Sequence, residues 1–330
     1  MQGIRGKIKL FIILVSTALF ITSCTTTPDL YNPDFRQEMR DFVIRISDTA
    51  RTSNSTFIVI PQNGQELISL TDEVDGTLAA DYIAAIDGTG REDLFYGYSG
   101  DNIATPQAEN EYMMGYLEIF KTEGIEVLTI DYCSTESYIL DSYTVNNGNG
   151  FISFAADQRN LNNIPAYPAT PYNINTDNIQ NISQAKNFLY LINSENYSTR
   201  QDFITDVSAT NYDVIIMDLF HNEDAYTSSQ IDELKVKQNG SNRLVICYMS
   251  IGEAEDYRFY WNPVGETGDP IWLDQENPDW KGNFKVRYWE KEWQDIILSG
   301  DDSYLGKILA AGFDGVYLDI IDGFEYFENY

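Results

Sequence analysis

Residues 243–261 read RLVICYMSIGEAEDYRFYW. The first part, 244–249, is a short apolar run rich in β-branched and aromatic side chains, the pattern of a buried strand. Its character then changes at once, to Ser250, Gly252, Glu253, Glu255, Asp256, Tyr257, Arg258 and Trp261. Carboxylates hold and move protons, and aromatic rings offer flat faces to a ligand. A buried strand opening directly into both is the pattern of the active-site end of an α/β barrel. Three further apolar runs end in an acid: 127–131 (VLTID) at Asp131, 214–218 (VIIMD) at Asp218 and 316–319 (VYLD) at Asp319. One such Asp reads as the N-cap of the next helix. Four strands ending in acids favour a ring of acids at a barrel mouth.

The elements that must hold these residues alternate along the chain. Helical spacing runs over 34–52, where Phe35, Met39, Phe42, Val43 and Ile46 repeat and Asp34 can cap. A strand follows at 56–60, then a helix running into a short strand over 75–86. Residues 87–93, DGTGRED, read as a loop with neither phosphate-loop nor calcium-loop spacing. A strand at 94–98, a helix at 105–124, the strand at 127–133, a helix at 137–145 and a strand at 151–156 come next. The stretch 160–184, with Pro165, Pro168, Pro171 and many Asn, reads as a linker or surface excursion. Beyond it, strands at 188–192, 213–220, 244–249, 284–289 and 316–321 alternate with helices at 199–208, 228–238, 291–299 and 304–311. Such alternation means parallel strands and right-handed crossovers. An eight-stranded (β/α)8 TIM-type barrel is expected. A doubly wound open sheet is the alternative, but its glycine fingerprint after a first strand is missing. The helix 34–52 has no strand before it, and the strand 316–321 has no full helix after it. Joining the two would make an ordinary strand–helix unit.

The chain carries 21 basic and 51 acidic residues, a net charge of −30. That field repels nucleic acid and anionic lipid headgroups and suits a neutral or cationic ligand. At 43% hydrophobic, the chain can bury one large core, so a single domain over 34–330 is expected. Aromatics make up 14%, including 23 Tyr and 5 Trp, rings that can stack on sugar faces while their polar tips hydrogen-bond. Cys133 and Cys247 lie on or beside buried strands and read as free thiols, although an exported protein could pair them. His221 is the sole histidine and there is no Gly-x-Ser-x-Gly elbow, which disfavours serine, cysteine and metal chemistry. An acidic calcium site stays open. No cofactor is expected, and the chain is expected to be a monomer.

Residues 1–23 have the shape of a signal peptide: Arg5, Lys7 and Lys9, then an apolar stretch at 10–21 too short for a comfortable membrane span. Ile21-Thr22-Ser23-Cys24 resembles a bacterial lipobox. That resemblance implies cleavage before Cys24, lipidation of its sulfur and a stable membrane anchor, with 24–33 as a tether. Thr25 follows where Asp would signal retention, so the outer membrane of a Gram-negative bacterium is implied. Without Arg5, Lys7 and Lys9, 18 basic residues face 51 acidic ones, a charge of −33.

Three stretches carry a wider resemblance: RLVICYMSIGEAEDYRFYW, GFDGVYLDIIDGFEYF at 312–327 and FIVIPQNG at 57–64. They resemble the endo-α-1,4-polygalactosaminidase group, glycoside hydrolase family 114 and its relatives, over most of the mature chain. In that family the strand resembling 188–192 comes first, and the pieces resembling 57–131 follow the one resembling 312–327. The chain therefore resembles a circular permutant with 160–184 joining the old ends, an arrangement tolerated where termini lie close together. The resemblance implies metal-free hydrolysis of α-linked galactosamine or N-acetylgalactosamine polysaccharide by two carboxylates. It points to Asp319 as one and Glu92 as the other. Asp218, Asp131 and Glu253 are then acids that hold sugar hydroxyls, Arg91, Tyr248 and Gln62 polar contacts, and Trp261 and Trp280 stacking rings. Trp289 is either a third stacking ring or a core residue. The rival expectation is a glycan-binding lipoprotein that keeps the aromatics and dispenses with the acid pair.

Overall fold

Eight parallel strands carry the fold: β1 (Ile58–Pro61), β2 (Gly88–Glu92), β3 (Glu126–Tyr132), β4 (Ile152–Ala156), β5 (Phe188–Tyr190), β6 (Val214–Met217), β7 (Leu244–Ser250) and β8 (Gly315–Asp319). The computed structural model describes residues 33–71, 73–261 and 269–329. Cys24 and the signal-like segment lie outside the described residues. The strands form two ladders, β1-β8-β7-β6-β5 and β2-β3-β4. At one edge the ladders meet through a parallel bridge between Gln62 and Gly90, with Asn63 N donating to Gly90 O at 2.8 Å. At the other edge the Phe154 and Phe188 rings of β4 and β5 face each other at 5.8 Å, with no ladder between the strands. The strands are buried on both sides, which is why they read as continuous apolar runs.

Helices precede, connect and follow the strands. They are α1 (Phe35–Ser53), α2 (Ala80–Ala85), α3 (Gln107–Thr122), α4 (Glu136–Gly148), α5 (Arg200–Ser208), α6 (Ser228–Leu234), α7 (Lys291–Leu298), α8 (Tyr304–Ala311) and α9 (Phe324–Glu328). No helix of the described residues is long and apolar enough to cross a membrane. Asp34 caps α1, accepting from Gln37 N at 3.0 Å. The start of α1 lies against the short helix that follows β8. Arg36 pairs with Glu328 at 2.8 Å, Phe35 and Phe327 have ring centroids 5.6 Å apart, and Tyr288 donates to Phe35 O at 2.8 Å. Strands β8 and β1 are direct neighbours, in register Val316 to Val59. Helix α1 thus packs against both β1 and the short helix that follows β8.

Four sequence expectations fail here. The short strand expected at the end of 75–86 is absent, since the helix Ala80–Ala85 is followed by no strand before Gly88. Residues 87–93 are no loop, because Gly88–Glu92 is a full strand paired with β3. Its glycines hid it. A Cβ on Gly90 would lie 1.9 Å from Tyr317 Oη, so the ring from β8 fills the space that a side chain of β2 would take. Residues 284–289 add no parallel strand. Asn283–Val286 is instead the middle of an antiparallel sheet with Glu253–Glu255 and Leu273–Glu276. Of 94–98, only Tyr96–Gly97 pairs, as an antiparallel hairpin with Gly100–Ala104.

The stretch 160–184 lacks regular strands and long helices, as expected, but it is packed down. Tyr172 stacks on Tyr143 with centroids 4.8 Å apart, and Asn175 donates to Asp213 at 2.8 Å. Asp213 precedes β6 and also holds Lys237 Nζ at 2.8 Å, a fully buried ion pair. Cys133 and Cys247 are buried and free.

Candidate active site

A cavity of about 430 Å³ opens at the carboxyl ends of the strands. Its wall takes Gln62 from just past β1, Glu92 from β2, Tyr132 from β3, Tyr190 from β5, Asp218 from just past β6, Tyr248 from β7 and Asp319 from β8. Glu92 therefore ends a strand, as Asp319 does, and the expected contrast between a fixed Asp319 and a loop-borne Glu92 disappears.

Strand parity decides which side chains reach the cavity. Ladder partners in parallel strands face the same side, and successive residues alternate. Glu92 pairs with Ile130, so Tyr132 shares its inward face. Arg91 pairs with Thr129, and both face outward with Asp131. Two expected contacts are corrected on that ground. Asp131 is fully buried against α4 and accepts from Ser142 Oγ at 2.6 Å, Asn146 Nδ2 at 3.0 Å, Phe95 N at 2.8 Å and Tyr96 N at 3.1 Å. It serves the scaffold. Arg91 donates to Gln65 Oε1 at 2.9 Å on the outer side. Trp261 is corrected as well: its ring packs on Phe284, 4.8 Å between centroids, and does not line the cavity. Trp289 packs among Phe35, Tyr288 and Phe327 beside α1, on the core side of its two readings.

The remaining expected residues come together. Asp319 Oδ2 accepts from the Tyr248 hydroxyl at 2.6 Å, and Oδ1 from Ile320 N at 2.9 Å. Ile320 lies in the left-handed region at φ 58°, rare for a β-branched residue. A Cβ on Gly252 would lie 2.0 Å from Ile320 O, so the glycine admits this strained turn directly behind Asp319. Glu92 accepts from the Tyr132 hydroxyl, and from Asn63 Nδ2 at 3.2 Å. Asn63 is itself in the left-handed region, at φ 63°. Gln62 accepts from Tyr190 Oη at 2.8 Å.

Burial first, then the negative charge of Glu92, pushes the Asp319 carboxyl up to about 8, and the Tyr248 hydrogen bond opposes them. At neutral pH Asp319 is thus mainly protonated. Asp218 is gripped by Arg258 through two hydrogen bonds of 2.8 and 2.6 Å, and Arg258 also donates to Glu255 at 2.5 Å. Burial raises the Asp218 carboxyl, and the Arg258 guanidinium opposes that shift. Glu253, fully buried, lines the cavity while paired with Lys285 Nζ at 2.6 Å and Asn277 Nδ2 at 2.8 Å. Trp280 is 56% exposed on the cavity rim, and Tyr257 is 61% exposed nearby. A second cavity of about 590 Å³ continues from the first and shares Ile192, Asn193, Asp218, Tyr257 and Arg258 with it. The two cavities therefore adjoin.

Sequence reasoning missed Asn63, Tyr132, Arg159 and Tyr190. Tyr132 and Tyr190 had a signal, being the inward-parity residues near their strand ends. Arg159 had none, because it follows β4 at the edge of the supposed linker. Among the described residues no group of three or more His, Cys, Asp or Glu is arranged to hold a metal ion. His221 is buried with both ring nitrogens unpartnered, and it lines neither cavity.

An uncharacterized protein of Methanocaldococcus jannaschii is 39% identical over 182 residues, 53% of this chain and 49% of the relative. Uncharacterized proteins of Thermotoga maritima and Deinococcus radiodurans are 37% and 38% identical over 123 and 129 residues, 37% and 39% of this chain and 36% and 39% of their own lengths. The chain thus spans about half the length of these curated relatives or less. Residues 168–329 match the model of glycoside-hydrolase family GH114. Asp319, Tyr248, Asp218 and Glu253 fall inside that match, and Glu92 falls outside it. The C-terminal half of the chain, the half that supplies Asp319, therefore carries the family signature of the GH114 glycoside hydrolases.

Proposed function

We propose that the chain is a glycosidase that cleaves α-linked galactosamine or N-acetylgalactosamine polysaccharide with Asp319 and Glu92 as its two carboxylates. One observation carries the reading: two acids end strands of different ladders and face a single cavity, and burial keeps a proton on Asp319. Cleavage of a glycosidic bond needs one carboxyl to give a proton to the leaving oxygen and one carboxylate to attack, or to activate water, at the anomeric carbon. Asp319, holding its proton, supplies the first role, and Glu92 takes the second. The Tyr248 hydroxyl and the Ile320 N–H stabilise negative charge when it falls on Asp319, and Tyr132 and Asn63 do the same for Glu92. Trp280 offers a ring face to a sugar at the rim. No metal takes part in the proposed reaction. The test is release of reducing ends from cationic and N-acetylated galactosamine polymers by purified protein. No cleavage of either would sink the proposal.

The proposal includes the architecture and the location. The eight strands close into one barrel, in which α1 serves as the crossover from β8 to β1. The chain is then a permuted form of the family order, a single domain over 34–330. Support comes from the Gln62–Gly90 bridge, the Phe154–Phe188 contact and the docking of α1 on α9. A permutant opened within 160–184, with the present ends joined by a flexible linker, should then fold and melt as one unit. Lipidation at Cys24 would place the domain on the outer membrane. Cys24→Ala should release the protein from membranes, and fractionation unchanged from wild type would refute the anchor.

A further inference from the structure

Arg159 stands directly after β4, at the near end of the stretch that reads as a linker. Its side chain nonetheless reaches the cavity wall. The guanidinium carbon lies 4.1 Å from the centroid of the Tyr132 ring. On its other edges, Nη2 donates to Asp93 Oδ1 at 3.0 Å and to Gly97 O at 2.6 Å, and Nε donates to Asp101 Oδ1 at 2.5 Å. One planar group therefore ties together a ring of β3, the residue after Glu92 and the hairpin formed by Tyr96–Gly97 and Gly100–Ala104. The Tyr132 hydroxyl in turn donates to Glu92 Oε1. The direction of that bond depends on the tilt of the Tyr132 ring, and the guanidinium lies on the face of the ring.

We infer that Arg159 is a positioning residue for Glu92, acting through the Tyr132 ring that its guanidinium covers. The inference rests on the reading of Glu92 as a reacting carboxylate, and it adds a residue from a segment that the motifs do not reach. A guanidinium suits this place because its plane stacks on a ring while its edges donate in fixed directions. A lysine ammonium cannot do both. Asp93 needs such a partner. It sits at φ 57°, in the left-handed region, and burial lifts its carboxyl to about 6, against the charge of Arg159.

A double-mutant cycle and a crystal structure test the inference. In wild type, Arg159→Ala should lower kcat about tenfold with KM nearly unchanged, and Arg159→Lys should recover less than half of the loss. In a Tyr132→Phe background, Arg159→Ala should cost less than twofold more, because the bond that it orients is already gone. Full additivity, or a rise in KM alone, would overturn the inference and make Arg159 a structural or substrate contact. The crystal structure of Arg159→Ala needs no substrate: it should show the Tyr132 hydroxyl withdrawn from Glu92. An unmoved ring would overturn the positioning role even if the enzyme cleaves its polymer. A displaced ring in a protein that cleaves none of the polymers would leave the positioning intact and refute the glycosidase reading. Should Arg159→Ala fail to fold, Arg159→Gln, whose amide keeps a donor at the position of Nε toward Asp101 but loses the charge and the reach of Nη2 to Asp93 and Gly97, replaces it in both experiments.

Discussion

Tyr248 donates its hydroxyl to Asp319 Oδ2 at 2.6 Å from the neighbouring strand, two residues before Ser250, the ladder partner of Asp319. The bond joins an inward tyrosine of β7 to the acid that ends β8. It favours the ionised carboxylate against burial and against the charge of Glu92. Tyr248→Phe should therefore push the Asp319 carboxyl still higher. Loss of one hydrogen bond to a charged group, about 1.5 kcal/mol, corresponds to a roughly tenfold fall in kcat. The pH–rate profiles of the two proteins check this. Equal kcat values and identical profiles would show that the bond does no work in turnover.

The raised Asp319 carboxyl links stability to pH. Its folded value is about 8, against an ordinary 3.8. Between those values the folded protein keeps a proton that the unfolded chain has released. Stability attributable to this group is then complete below about pH 4 and declines as pH rises toward 8. Asp319→Asn removes that dependence. Its melting temperature should equal that of wild type near pH 4 and exceed it by about 2 °C or more at pH 8, the scale of roughly 1 kcal/mol in a large domain. A gap that is constant across pH would contradict the assignment.

Asp319 and Tyr248 were legible in the sequence because each belongs to an apolar run of strand length that ends abruptly in polar residues. Glu92 came only from the family resemblance. Its strand is glycine-rich, and the apolar group that packs there, Tyr317, is supplied by another strand. Asp131 was misplaced because both faces of β3 are buried, so its sequence, VLTIDY, shows no alternation, and Arg91 because its glycine-rich strand read as a loop with no parity to follow. Which of Asp131 and Tyr132 faces inward depends on register with β2, a non-local property. The eight-strand alternation itself was readable, apart from β2 and the antiparallel sheet beside the cavity. Residues 160–184 looked like a linker because asparagine and proline show no period, yet their contacts are side-chain hydrogen bonds and ring stacks that leave none.

The packing of Tyr317 over Gly90 makes a prediction about stability alone. A methyl group on Gly90 would meet Tyr317 Oη at 1.9 Å and Cζ at 2.5 Å. Gly90→Ala should cost about 1–3 kcal/mol, as overpacking in a core does. Tyr317→Phe should be nearly neutral or stabilising, because the hydroxyl is buried with no hydrogen-bond partner. Urea denaturation of the two variants checks both. An undamaged Gly90→Ala would mean that β2 and β8 pack less closely there.

The central claim is that Asp319 and Glu92 are the reacting pair, and kinetics on a cleaved galactosamine polymer test it most directly. Asp319→Asn and Glu92→Gln should each lower kcat by about 10²–10⁴-fold, the usual contribution of a group that transfers a proton. Both variants should remain folded at neutral pH. Near wild-type turnover in either variant would contradict the account and move the chemistry to Asp218 or Glu253, the other acids on the same cavity wall.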